Sequence, residues 1–164
     1  MIKQAIKVYH EFGPYYNRDS KILILGSIPS PKSREVGFYY GHPQNRFWLV
    51  MSQVFNDVKP ITIEDKKDFL KRHNIALWDV LASCDIKGAS DSSIKNPIVN
   101  DLNCILNNSM IERIITVGKT AHSLYNKYIF PTIKRKAICL PSTSSANCRI
   151  SVSDLIESYS IIKY

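Results

Sequence analysis

The chain has 164 residues, 45% of them hydrophobic, a formal net charge of +8 and a pI near 9.3, which suits one compact domain with an anionic partner, nucleic acid first. No run of about 18 apolar residues occurs, and the opening MIKQAIKVYHEF lacks the apolar centre of a signal peptide, so a soluble cytoplasmic protein with no membrane partner is expected. Cys84, Cys104, Cys139 and Cys148 are too scattered for a zinc or iron–sulfur site and read as reduced thiols, two or more of them buried; no metal or cofactor is expected.

In chain order, the first strong signal is ILIL at 22–25, a continuous apolar run fitting a strand of 21–26 that is covered on both faces. It breaks into a Gly/Ser/Pro loop (26–45) that delivers Tyr39, Tyr40, His42, Asn45, Arg46 and Trp48. After Pro43, placed for a first helical turn, Phe47, Met51, Val54 and Phe55 recur on one helical face. A helix over 64–73 leads to a strand at 75–80, then a loop at 82–96. Asn100 is positioned to cap a helix over 101–108. Strands at 113–117 and 136–140 flank a helix over 119–128, and a last helix over 153–162 follows a Ser151–Asp154 capping box. Alternating strands and helices without a repeat or linker predict a single domain over 1–164: an α/β fold, a three-layer α/β/α sandwich around a parallel four-stranded sheet. The loops at the carboxyl ends of its strands would form one mouth, the usual ligand position in open α/β sheets. Lys32, Arg34, Arg46, Lys87, Lys119 and Arg149 lie in or beside these loops, as phosphate-binding or merely solubilising charge.

Four ordered blocks resemble one family. GSIPS followed by YYGHPQNRFW is similar to the first motif of the uracil-DNA glycosylase superfamily, and LPSTSSANCRIS (140–151) to its second. LWDVLASC (77–84) and GASDSSIKN (88–96) also resemble the hypoxanthine-DNA (deoxyinosine) glycosylases, the branch most similar overall, and the likeness extends over 10–161. The resemblance implies a monofunctional hydrolase of base excision repair. It would break the N-glycosidic bond of a deaminated base, hypoxanthine first, and leave an abasic site without a metal. Its expected partner is DNA containing deaminated bases, met by a monomer that is nucleoid-associated when acting.

Three requirements organise the candidate residues: an extruded nucleotide, a pocket for its base, and a water attacking the sugar. Tyr40 matches the pocket aromatic of the mismatch-specific enzymes and is the expected stacking platform, while Tyr39 serves the wall or the core. Backbone amides at Gly26, Ser27 and Ser30 are candidate donors to the base; a donor aimed at O6 accepts hypoxanthine and rejects adenine. Where the mismatch-specific enzymes place a water-positioning Asn, this chain has Ile28, so that role passes to Asn45 of HPQN, whose competing role is to cap the next helix. His42 is the expected proton donor, with backbone bonding as its alternative, and Asp79 and Asp91 are carboxylates able to stabilise an oxocarbenium-like sugar or to act structurally. Ser142, Thr143, Ser144 and Ser145, with Arg46 and Lys119, are expected to grip DNA phosphates. Two other readings stay open: a uracil-preferring or broader deaminated-base glycosylase, and a catalytically silent DNA-binding module, which Ile28 keeps alive.

Overall fold

A computed structural model describes residues 4–163. Four short apolar segments pair in parallel in the order β3-β2-β6-β7: β2 (Ile22–Gly26), β3 (Ile75–Asp79), β6 (Arg113–Val117) and β7 (Ala137–Leu140). Each strand's odd and even side chains enter different cores, which is why the runs are apolar without alternation. Ile22 and Ile24 pack with Phe47, Phe69 and Tyr159 on one face, and Leu23 and Leu25 with Ile105, Ala121 and Tyr125 on the other. Helices α2 (Phe47–Val54), α3 (Ile63–Arg72) and α7 (Val152–Tyr159) cover the first face, α4 (Asn103–Leu106) and α5 (Lys119–Leu124) the second. The expected three-layer α/β/α arrangement with its four parallel strands is the one observed.

Local chemistry sets the helix boundaries. Thr62 with Asp65 and Ser151 with Asp154 form reciprocal capping boxes at the starts of α3 and α7. The helix expected from Pro43 begins instead at Phe47. Pro43 lies in a turn closed by Asn45 N–H donating to the His42 carbonyl at 2.9 Å. Asn100 does not cap α4; its Nδ2 donates to the Asp79 carbonyl. The helix over 119–128 changes after Leu124 into a π turn (Tyr125–Ile129), and a short α6 (Phe130–Ile133) follows. The last helix tightens into a 3₁₀ turn (Ser160–Lys163).

Two parts of the fold were not expected. The loop at 26–45 contains a helix, α1 (Pro31–Val36), with Pro31 in its first turn, Ser30 accepting from Ser33 N–H, and Gly37 closing it at φ 79°. The segment at 82–96, read as a loop, belongs to an antiparallel three-stranded sheet in the order β1-β4-β5: β1 (Ile6–Tyr9), β4 (Leu81–Lys87) and β5 (Ser90–Val99). Register shifts along β4–β5 destroy the alternation a sequence reader looks for, and β5 carries Pro97 and faces mostly solvent. Of the four cysteines only Cys84 is buried, fewer than expected, and all four are free thiols.

Candidate active site

A cleft of about 830 Å³ opens at the carboxyl ends of the parallel strands. Its walls are the loop after β2 from Gly26 to Ser30, Tyr39 and Tyr40, the β4–β5 hairpin tip from Gly88 to Asp91, Gly118 to Thr120 ahead of and within α5, and Pro141 to Ser144 with Ala146 and Asn147, Asn45 behind them. The separated sequence blocks therefore meet around one space, of the size usual for small-ligand sites.

The floor is built at the paired ends of β2 and β3, where Gly26 stands opposite Asp79. A Cβ at Gly26 would lie 2.5 Å from Asp79 Oδ1 and 3.6 Å from the Tyr40 hydroxyl, so only glycine admits both side chains here. Asp79 is 4% exposed, and its Oδ2 accepts from His10 Nε2 at 2.7 Å. His10 is boxed by Phe12, Tyr39 and Trp78 at ring separations of 4.9, 5.8 and 6.4 Å. The Tyr40 ring stacks on Phe47 at 3.9 Å, while its hydroxyl is buried without a hydrogen-bond partner. Burial first, then the charges of Asp79 and Tyr159, push that phenol well above its ordinary range and keep it protonated. Tyr40 also holds φ 51°, a left-handed backbone unusual for an aromatic residue and of the kind that collects at functional sites. Tyr39 is buried and donates its hydroxyl to the Gly13 carbonyl, so it supports the wall from the core side.

Across the floor, Ser27 Oγ donates to both oxygens of Asp91 at 3.1 and 3.2 Å, tying the loop after β2 to the hairpin. The Asp91 residue reaches solvent, yet its carboxyl is crowded by the cleft wall. Desolvation raises it above the ordinary aspartate range, the Ser27 bond opposes the rise, and the Asp79 charge adds to it. Ile28 is 9% exposed and packs into the core beneath the cleft, where it can neither orient nor deprotonate water.

The expected DNA-gripping residues divide. Arg46 is a clamp inside the protein: its Nε–H donates to the Thr143 carbonyl, one Nη to Ile150, and the other to Ser144 and Asn147. Four of its five N–H donors are so committed, which makes its first role structural. Thr143 is 1% exposed and donates Oγ1–H to Asn45 Oδ1 at 2.9 Å, so it is unavailable to a strand outside. Asn45 Oδ1 also accepts from Phe47 N–H at 2.9 Å, which fixes the amide orientation and turns only Nδ2 to the cleft. Water cannot be held through that carbonyl as expected. Ser142 and Ser144 accept backbone N–H bonds from Ser144 and Ala146 and line the cleft; Ser145 is exposed but outside its lining. Lys119 is exposed at the cleft and, among the described residues, makes no ion pair. His42 is exposed, its Nδ1 accepts from Gln44 N–H, and it is not part of the lining, which removes it from reach of a base in the cleft.

A family model described as the uracil DNA glycosylase superfamily matches residues 14–155. The chain belongs to this superfamily. Two curated relatives are named hypoxanthine DNA glycosylase. One, from Methanosarcina acetivorans, is 32% identical over 141 residues, 85% of this chain and 89% of that protein. The other, from Methanosarcina barkeri, is 35% identical over 95 residues, 57% of this chain; the match spans only 60% of that relative's length. The solution NMR structure of a candidate uracil DNA glycosylase from Methanosarcina acetivorans superposes over 100% of both chains with a TM-score of 0.77 and 28% identity.

Within this glycosylase-superfamily frame, sequence reasoning missed His10 altogether. It precedes every recognised motif, and nothing in YHEFG signals that its imidazole will meet a carboxylate 69 positions away. The second role of Arg46 was hidden for the same reason, since its acceptors are main-chain atoms about 100 residues on. Among the described residues no group of three His, Cys, Asp or Glu side chains gathers as a metal site, and no helix is long and apolar enough to cross a membrane.

Proposed function

We propose that this chain is a DNA glycosylase that hydrolyses the N-glycosidic bond of deoxyinosine, releasing hypoxanthine and leaving an abasic site. The observation that carries the reading is the cleft at the strand ends, floored by Gly26, Tyr40 and two aspartates, in a member of a glycosylase superfamily whose two curated relatives are named for hypoxanthine. The free face of Tyr40 stacks the flipped base, a contact contributing roughly 1–3 kcal/mol, while Ser27 and the neighbouring amides meet its polar edge. Asn45 acts through Nδ2, as a donor to the base or sugar. Lys119, with Ser142, Ser144 and Ser145 around the second loop, holds the flanking phosphates. The whole chain works as one domain and as a monomer, in the cytoplasm, without a cofactor.

Single-turnover cleavage of end-labelled duplexes carrying one hypoxanthine, uracil, xanthine or normal base tests this. Alkali-dependent strand breakage at hypoxanthine, faster than at the other bases, is the expected result. A uracil-first ranking would favour the second reading, which the likeness to the candidate uracil DNA glycosylase supports. Tight binding with no abasic product would leave a silent DNA-binding module.

A further inference from the structure

The cleft floor contains an acceptor and a donor that the interior leaves unused. Asp79 spends Oδ2 on His10 at 2.7 Å, while Oδ1 stands 2.5 Å from the point a Gly26 Cβ would occupy and makes no hydrogen bond with the described residues. The Tyr40 hydroxyl lies 3.6 Å from that same point, buried and without a partner. Buried polar groups are nearly always satisfied, so the unpartnered Tyr40 hydroxyl, beside an Asp79 oxygen left free in a residue that lines the cleft, marks a place made for something polar and small. Ile28, packed into the core nearby, supplies no such group.

We infer that Asp79 is the catalytic carboxylate of this chain: Oδ1 receives a proton from the hydrolytic water, the Tyr40 hydroxyl donates to that water's oxygen, and His10 is the positioning residue that holds Asp79. The inference rests on the glycosylase reading. As the C1′–N9 bond lengthens, its electron pair leaves with hypoxanthine and positive charge develops on the sugar, where a carboxylate lowers the barrier. Water oxygen bonds to C1′, its proton passes to Asp79, the base takes a proton from solvent, and Asp79 later returns its own to solvent. One water is consumed, and no other reactant is required. The remaining ionisable neighbours of Asp79 are Tyr39, Tyr40 and Asp91. Among the described residues Asp91 has no cationic partner and is bonded by Ser27. The two carboxylates are thus held differently, Asp79 by an imidazole and Asp91 by a hydroxyl.

The test is single-turnover release of hypoxanthine from a duplex by wild type, Asp79→Asn, His10→Phe and His10→Gln, each shown folded by circular dichroism, with duplex binding measured alongside. Asp79→Asn is expected to slow release by about 10²–10⁴-fold, the usual share of a general base, and to bind the duplex at least as tightly, a negative charge having been removed. His10→Phe keeps an aromatic ring in the box but no donor, so release should slow with duplex binding unchanged, and His10→Gln, which keeps a side-chain donor, should recover part of the rate. An Asp79→Asn rate within about threefold of wild type would overturn the inference. So would a His10→Gln rate no better than that of His10→Phe, which is what lost packing alone would give, and this pair decides if Asp79→Asn does not fold. A wild type that releases nothing would instead sink the glycosylase reading.

Discussion

Thr143 donates its hydroxyl to Asn45 Oδ1 at 2.9 Å, joining two loops 98 positions apart in the chain. The same oxygen accepts Phe47 N–H, so the Asn45 carbonyl serves the fold and only its NH₂ is left for chemistry. Asn45→Asp keeps both acceptances and removes the donors. We expect it to fold with a near-normal melting temperature while losing about 10²-fold in single-turnover release, the scale of a lost transition-state donor. Asn45→Ala should lose both. Calorimetry beside the cleavage assay separates the two roles.

Arg46→Ala should cost about 3 kcal/mol or more in urea unfolding, because it strips a charged donor from carbonyls at Thr143, Ser144, Asn147 and Ile150. The salt dependence of duplex binding should not change for any protein that remains folded. Lys119→Ala should do the reverse, with stability within about 0.5 kcal/mol of wild type and the slope of log K against log salt smaller by about one.

Tyr40→Phe removes a buried hydroxyl that has no partner in the protein. The folded state should be unchanged or slightly more stable by thermal melting, since an unsatisfied polar group is deleted, yet hypoxanthine release should slow. A loss of stability with unaltered release would contradict the role given to that hydroxyl.

Asp91 supplies a pH signature. Desolvation raises its carboxyl in the folded state, with Ser27 opposing and Asp79 adding to the rise, so between its unfolded and folded values the native protein binds more protons than the unfolded chain. Its contribution therefore favours the folded state below the unfolded value and is lost as pH rises through the folded one. Asp91→Asn should accordingly gain on wild type in urea midpoint at neutral pH, with the advantage shrinking as the pH falls through the raised folded value and gone below about 4.

The parallel strands were legible because their apolar runs are continuous, a pattern that survives without any knowledge of neighbours, and Ser151 with Asp154 marked the start of α7 through purely local hydrogen bonds. The antiparallel sheet was not, since the bulged pairing of β4 with β5 scrambles alternation and β5 reads as a polar loop. At the site, residues adjacent to motifs were found by type, Gly26, Tyr40 and Asn45 among them. Their use depended on partners far along the chain. Arg46 looked like a phosphate ligand because guanidinium groups often are, and only its distant carbonyl acceptors distinguish a clamp from a contact. His42 looked reactive for its neutral-range imidazole, but the turn at Pro43 points it away from the cleft.

The β4–β5 hairpin meets the cleft through its tip, from Gly88 to Asp91, and through Ile86 just below it, while Val8 and Cys84 pack into the core with Ile86. Along the hairpin, Ile86 is the position where recognition and folding overlap, and the turn beyond it serves the cleft. A handful of positions at the turn can be exchanged, lengthened or recoded without disturbing what holds the molecule together. The rim above the damaged base is therefore where substrate range can drift between relatives, and where a designer wishing to retarget the enzyme should begin.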